Sequence, residues 1–168
     1  YAVFSIPGGK IISKIGYKKG VVIGLLTMGL GCFLFYPAAD FRIFGVFLLA
    51  MFVLAGGITI LQVAANPYVA ALGPESSASS RLNLSQAFNS LGTFIAPLVS
   101  AAFILSSSVL SSKEVSNLSS SEQEAYYVAE AAAVQSPFLI LAGVIILLAI
   151  IFAVIKLPKI LEGDEDKN

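Results

Sequence analysis

Four long stretches of this chain contain no Asp, Glu, Lys, Arg or His: residues 21–39, 43–72, 82–105 and 137–155. A soluble fold cannot run nineteen to thirty residues without a charge, four times over, and still cover its surface. A bilayer can use such runs. Its hydrocarbon core is about 30 Å thick, and a helix rising about 1.5 Å per residue crosses it in about twenty residues. Composition agrees: 57% of residues are hydrophobic and 12% charged, with a mean hydropathy of +0.89. The chain reads as an all-α membrane protein with four full spans.

Residues 1–9 are apolar too, but nine residues cannot cross the hydrocarbon. No basic region precedes them as in a signal peptide. We expect a partial span here, the second half of a helix, and take the sequence as a piece of a longer protein. The run 43–72 is long for an upright crossing and is interrupted by Asn66-Pro67. Pro67 removes a backbone donor, so a kink is expected there.

Eight of the ten basic residues fall on one side if the spans alternate: Lys10, Lys14, Lys18, Lys19, Arg81, Lys156, Lys159 and Lys167. Arg42 and Lys113 fall on the other. The positive-inside rule makes the first group cytoplasmic. The connection 106–136 is then external and the tail 156–168 cytoplasmic. In that connection, Ser121-Glu122-Gln123-Glu124 fits a capping box opening an Ala-rich helix to Gln135, expected to lie along the outer surface. It reads either as a lid or as a plain connector.

Several function classes drop out. Acidic and basic residues cancel at ten each, so nothing draws the chain to nucleic acid. One Cys and no His leave no metal site and no His-based catalysis, and no cofactor is expected. An enzyme acting on lipid-linked sugar would need acid, base or metal groups, and Asp40, Glu75 and Arg81 are too few and too dispersed.

Polar residues inside the spans carry the functional signal. Gly56, Thr59, Gln62 and Asn66 recur at three- and four-residue intervals, which places them on one helix face. On the next span Asn83, Gln86, Asn89 or Ser90, and Thr93 do the same. A carboxamide in hydrocarbon needs a partner for its donors and its acceptor. Two such stripes on neighbouring helices mean either interhelical bonding or a shared polar cavity. A cavity of this kind suits a neutral polyhydroxy ligand, because every amide both donates and accepts.

Three segments carry a resemblance. They are Leu61-Gln62-Val63-Ala64-Ala65-Asn66-Pro67-Tyr68-Val69, then Leu72-Gly73-Pro74-Glu75, then Arg81-Leu82-Asn83-Leu84-Ser85-Gln86-Ala87-Phe88-Asn89-Ser90-Leu91-Gly92. Together they resemble the fucose–galactose–glucose proton symporters of the major facilitator superfamily, and Gln62 resembles the glucose/galactose branch, since fucose members carry Glu there. The resemblance implies a partial major facilitator fold, from the second half of helix 2 through helix 6 of a twelve-helix transporter, in a bacterial inner membrane. It implies alternating-access transport of a neutral hexose, with proton symport, and partnership with membrane lipid and a C-terminal half. A fucose-type symporter and an uncoupled facilitator are the alternatives.

Carried over residue by residue, Gln62, Gln86 and Asn89 are substrate-binding candidates. Asn66 joins them, or else satisfies backbone groups freed at Pro67. The stretch from Gly9 to Lys19 resembles the loop that latches the cytoplasmic gate, with Ser13 where the superfamily usually has Asp. It makes Lys14, Gly16 and Lys18 latch candidates. Glu75 and Arg81 read as a gate pair or as solvated charges at helix ends.

Overall fold

The computed structural model describes residues 2–104 and 110–156, and every regular element in them is helical. The order is α1 (Ala2–Ile15), α2 (Tyr17–Phe41), α3 (Phe44–Ala71), a 3-10 turn (Glu75–Ser77), α4 (Ala78–Ile104), α5 (Ser112–Ser116) and α6 (Ser120–Val154). The serine run at 106–108 and the tail from 157 onward, with Lys159 and Lys167, lie outside the described residues.

α2 is the hub. Its small residues let the α3 backbone come close along an antiparallel seam that crosses the whole bundle. Tyr17 meets Tyr68 with ring centroids 6.3 Å apart, and a Cβ on Gly20 would lie 2.9 Å from Ala64 Cβ. A Cβ on Gly24 would fall 2.7 Å from the Leu61 backbone nitrogen, and one on Gly31 2.5 Å from that of Leu54. Gly57 returns the arrangement from α3, set against the Met28 backbone. Phe35 closes the seam edge-on to Phe47 at 4.9 Å. Glycine at these positions is what lets two helix axes approach without hydrophobic collapse to drive them together.

α6 packs antiparallel on another face of α2. Gly29 lies against Ile145 and Ile146, and Phe35 stacks on Phe138 at 4.0 Å. Cys32 is fully buried between these contacts, beside Ala142, Ile145 and Ala149. α1 adds Ile12, buried against Gly20.

α3 runs through Pro67 to Ala71, within the expected stretch 43–72. The boundaries differ from the sequence expectation in three places. α1 does not stop near residue 9 but runs on to Ile15, since nothing in Lys10–Lys14 disfavours a helix. The capping box of α6 is Ser119 with Glu122, two residues before the one expected, and Glu124 instead pairs with Arg42. Finally α6 does not lie along the surface and stop. It passes through Pro137 as one helix of 35 residues, about 52 Å long, so its first turns project beyond a hydrocarbon core about 30 Å thick.

α2, α3 and α6 are long and apolar enough to cross a membrane, with mean hydropathies of 2.0, 2.5 and 3.1 over their most apolar stretches. α4 has the length, at 27 residues, but is absent from that group. Asn83, Gln86, Asn89, Ser90 and Thr93 dilute it. Residues 86–100 of α4 are exposed throughout, so the helix stands against the bundle chiefly at its first turns.

Candidate functional site

On α3, Leu54, Leu61 and Tyr68 form the ridge that faces α2. Gln62 and Asn66 sit about 100° to 140° round the helix from that ridge and share a face. Both are part-buried. Thr59 belongs to the same stripe in sequence but is 4% exposed, and its hydroxyl donates to the Ala55 carbonyl at 2.9 Å. That bond commits it to its own helix. On α4, Gln86 and Asn89 are exposed and three residues apart, while the Thr93 hydroxyl turns back to the Asn89 carbonyl at 2.9 Å.

The four carboxamides of Gln62, Asn66, Gln86 and Asn89 make no side-chain hydrogen bond among the described residues. Among the described residues the two stripes are not hydrogen-bonded to each other, and the Asn66 side chain makes no bond to the backbone beside Pro67. What is left is a set of donors and acceptors held on two helices with their polar ends unspent.

The expected latch residues have separate fates. Gly16 links α1 to α2 with φ 86 and ψ 153, a conformation open to glycine and strained for other residues. Ser13 donates to the Lys10 carbonyl within α1, at 2.9 Å. Lys14 is exposed. Lys18 reaches the far end of α6, where its Nζ donates to the carbonyls of Ala153 and Ile155, each at 2.8 Å. Those are terminal carbonyls without a helical partner, at the negative end of the helix dipole. Lys18 thus ties two helices of the same bundle together.

Glu75 opens the 3-10 turn and is exposed, and Arg81 does not pair with it. The ion pair among the described residues is Arg42–Glu124, at 2.6 Å on the opposite end of the bundle. Sequence reasoning missed that pair and the Lys18 cap. Their partners lie 82 and 135 residues away, and no local pattern signals contacts of that range.

Near the Arg42 end, a hollow of about 360 Å³ is lined by Ser112, Ser116, Gln123, Tyr126, Tyr127 and Glu130. It touches none of the four carboxamides. No group of three or more metal-ligating side chains occurs among the described residues.

The sequence model of the Major Facilitator Superfamily matches residues 1–166. The chain belongs to the major facilitator superfamily. It is 48% identical to the glucose/galactose transporter of Brucella abortus biovar 1 (strain 9-941) over 164 residues, covering 98% of this chain and 36% of that protein. It is 39% identical to the L-fucose-proton symporter of Escherichia coli (strain K12) over 161 residues, 95% of this chain and 37% of that one. Among solved structures it superposes on the superfamily transporter FucP in its outward conformation with a TM-score of 0.86 and 38% identity, over 95% of this chain and 39% of FucP. The chain thus spans rather more than a third of these relatives' length and has a partial major facilitator fold. Its apolar helices are those of a multi-pass membrane protein of this superfamily.

Proposed function

We propose that this chain is the incomplete N-terminal half of a bacterial inner-membrane sugar transporter, and that the whole carries a hexose of the glucose/galactose type by alternating access. The observation that carries the reading is the unspent set of Gln62, Asn66, Gln86 and Asn89 on two helices. Each amide can donate to one sugar hydroxyl and accept from another, and an uncharged site suits an uncharged ligand. Sites of this superfamily's kind form between two halves, and a C-terminal half supplies the opposing wall. The neutral Gln62 and the greater identity to the Brucella glucose/galactose transporter than to the E. coli fucose symporter favour hexose over fucose.

Such a protein moves its substrate without breaking a covalent bond. Proton symport, as in the name of the E. coli relative, needs a group that titrates within the membrane. Stretches 21–39, 43–72, 82–105 and 137–155 contain no acid, Lys or His, so the coupling group belongs to another part of the transporter.

Equilibrium binding of galactose and glucose to the complete transporter tests the site. Gln62→Ala should weaken binding by about 5- to 150-fold, the equivalent of about 1–3 kcal/mol for sugar hydroxyls left unpaired. Gln62→Glu should make binding pH-dependent near neutrality, because burial raises a carboxyl pKa. Unchanged affinity in the first variant with a flat pH profile in the second removes Gln62 from the site.

A further inference from the structure

Arg81 is the most heavily bonded side chain at the end of the bundle that also holds the Lys18 cap. It sits in the first turn of α4, and its guanidinium reaches back across the connecting turn to the end of α3. Nε donates to the Val69 carbonyl at 3.0 Å, and Nη2 donates to the carbonyls of Ala70 and, at 3.2 Å, Gly73. Nη1 donates to the Pro74 carbonyl at 3.2 Å and to the Ser77 hydroxyl at 2.6 Å. All five donors of the fork find use, and none meets a carboxylate.

These acceptors explain why the arginine is there. The last four carbonyls of a helix have no partner within it, and glycine in a left-handed turn commonly caps them. α3 has a glycine in the right place, Gly73, but among the described residues the positive-φ glycine is Gly16. The carbonyls of α3 are capped by a side chain from α4 instead. Gly73 serves the arrangement by being small: a Cβ there would lie 2.9 Å from Arg81 Nη1.

A cap borrowed from the next helix also fixes how that helix is set. Within this chain α4 is exposed from 86 to 100, and the guanidinium bonds at its first turn are its side-chain hydrogen bonds to α3. Gln86 lies five residues beyond Arg81, about 7.5 Å along the axis, and a tilt of about 10° at the clamp moves it by about 1 Å. A misplacement of about that size is enough to spoil a positioned polar contact. We infer that Arg81 is a positioning residue: its planar fork, docked on the carbonyl end of α3, sets α4 so that Gln86 and Asn89 confront the same cavity as Gln62 and Asn66. This rests on the sugar-site reading above. It assigns the effect to the shape of the fork rather than to its charge, and it sets aside a gate pair with Glu75.

The test uses the complete transporter without native cysteines, spin-labelled at Ile58→Cys on α3 and Leu91→Cys on α4, both exposed positions outside the site. Distance distributions and equilibrium binding of galactose and glucose are read for Arg81→Lys, Glu75→Gln and Gly73→Ala. Lysine keeps the charge but has no planar fork. Arg81→Lys should broaden the distance distribution and weaken sugar binding about tenfold or more, as loss of a positioned hydrogen bond does. Glu75→Gln should leave both as in the parent. Gly73→Ala, which keeps the arginine and displaces Nη1, should broaden the distribution to a lesser degree, and it serves if Arg81→Lys does not fold. A parent-like distribution and affinity in Arg81→Lys overturn the inference, as does a Glu75→Gln variant that loses affinity. A parent-like distribution in folded Gly73→Ala does the same. If the parent itself binds neither sugar, the sugar reading has failed, while the distance distributions still decide whether the clamp sets α4.

Discussion

Glu114 accepts hydrogen bonds from the Ser111 hydroxyl and the Ser111 backbone N–H, each at 2.7 Å, and closes the capping box of α5. The hydroxyl bond first, and the backbone bond second, hold its carboxyl below the ordinary value of 4.5. A carboxyl depressed on folding contributes its stability above the unfolded value and loses it as pH falls through the folded one. The α5 turn should therefore be intact above pH 4.5 and unwind progressively below it. Backbone chemical shifts of residues 112–116, followed across that range, read this directly. In Ser111→Ala the helical shifts should be weaker already at neutral pH and less responsive to acid. Helical shifts in the parent that do not change in acid would show that the box does not hold the turn. Single residues on the far side behave differently. Gly16 and Lys18 were readable as members of a loop motif, but what each does depends on geometry the motif does not contain. One holds a positive-φ link between two helices, and the other caps a helix end 135 residues away.

The seam between α2 and α3 tests the fold at the level of whole helices. At Gly24 and Gly31 the atoms that an added Cβ would meet are backbone, at 2.7 and 2.5 Å, and backbone cannot swing aside as a side chain does. Gly31→Ala must part the helices and should lower stability by about 1–3 kcal/mol, the usual cost of an overpacked contact. Gly143→Ala on α6 has nothing within 4 Å of its new methyl and should be near neutral or slightly stabilising. Unfolding of the two purified variants in a denaturing-detergent titration compares them, and a Gly31→Ala protein as stable as the parent contradicts the close-packed seam. Hydropathy was enough to find α2, α3 and α6, because a charge-free run of that length has few other uses. α4 has a charge-free run of the same kind, but uncharged carboxamides and hydroxyls lower its hydropathy below that of the other three. Hydropathy missed that α6 is continuous with its external approach, running through Pro137 as one helix. The candidate carboxamides were legible from their spacing. Their lack of bonds to one another was not, because spacing gives the face of each helix but not the distance between two helices.

At the scale of the molecule, the antiparallel seams send the α1–α2 turn, Lys18, Arg81 and the end of α6 to one face, and Arg42 with Glu124 to the other. Most of the positive charge is cytoplasmic if the bacterial rule holds. Cysteines at Ser13 and Ser116, both exposed, in a Cys32→Ser background should therefore label from opposite sides of the membrane. An impermeant thiol reagent should reach Ser116→Cys in intact cells and Ser13→Cys after permeabilisation, and the reverse pattern inverts the topology. The long reach of the Lys18 contact has a further consequence for biogenesis. α2 and α3 are joined by two residues and zip along glycines close in sequence, so they can enter the bilayer as a finished hairpin. The groove beside Gly29 and Phe35 must wait until more than a hundred further residues have been synthesised and α6 arrives to fill it. Throughout that interval the nascent protein carries an open flank and an unanchored Lys18 ammonium at the membrane surface. Ribosome stalling or a truncation before residue 120 would freeze this intermediate, which is the form that membrane quality-control proteases would meet.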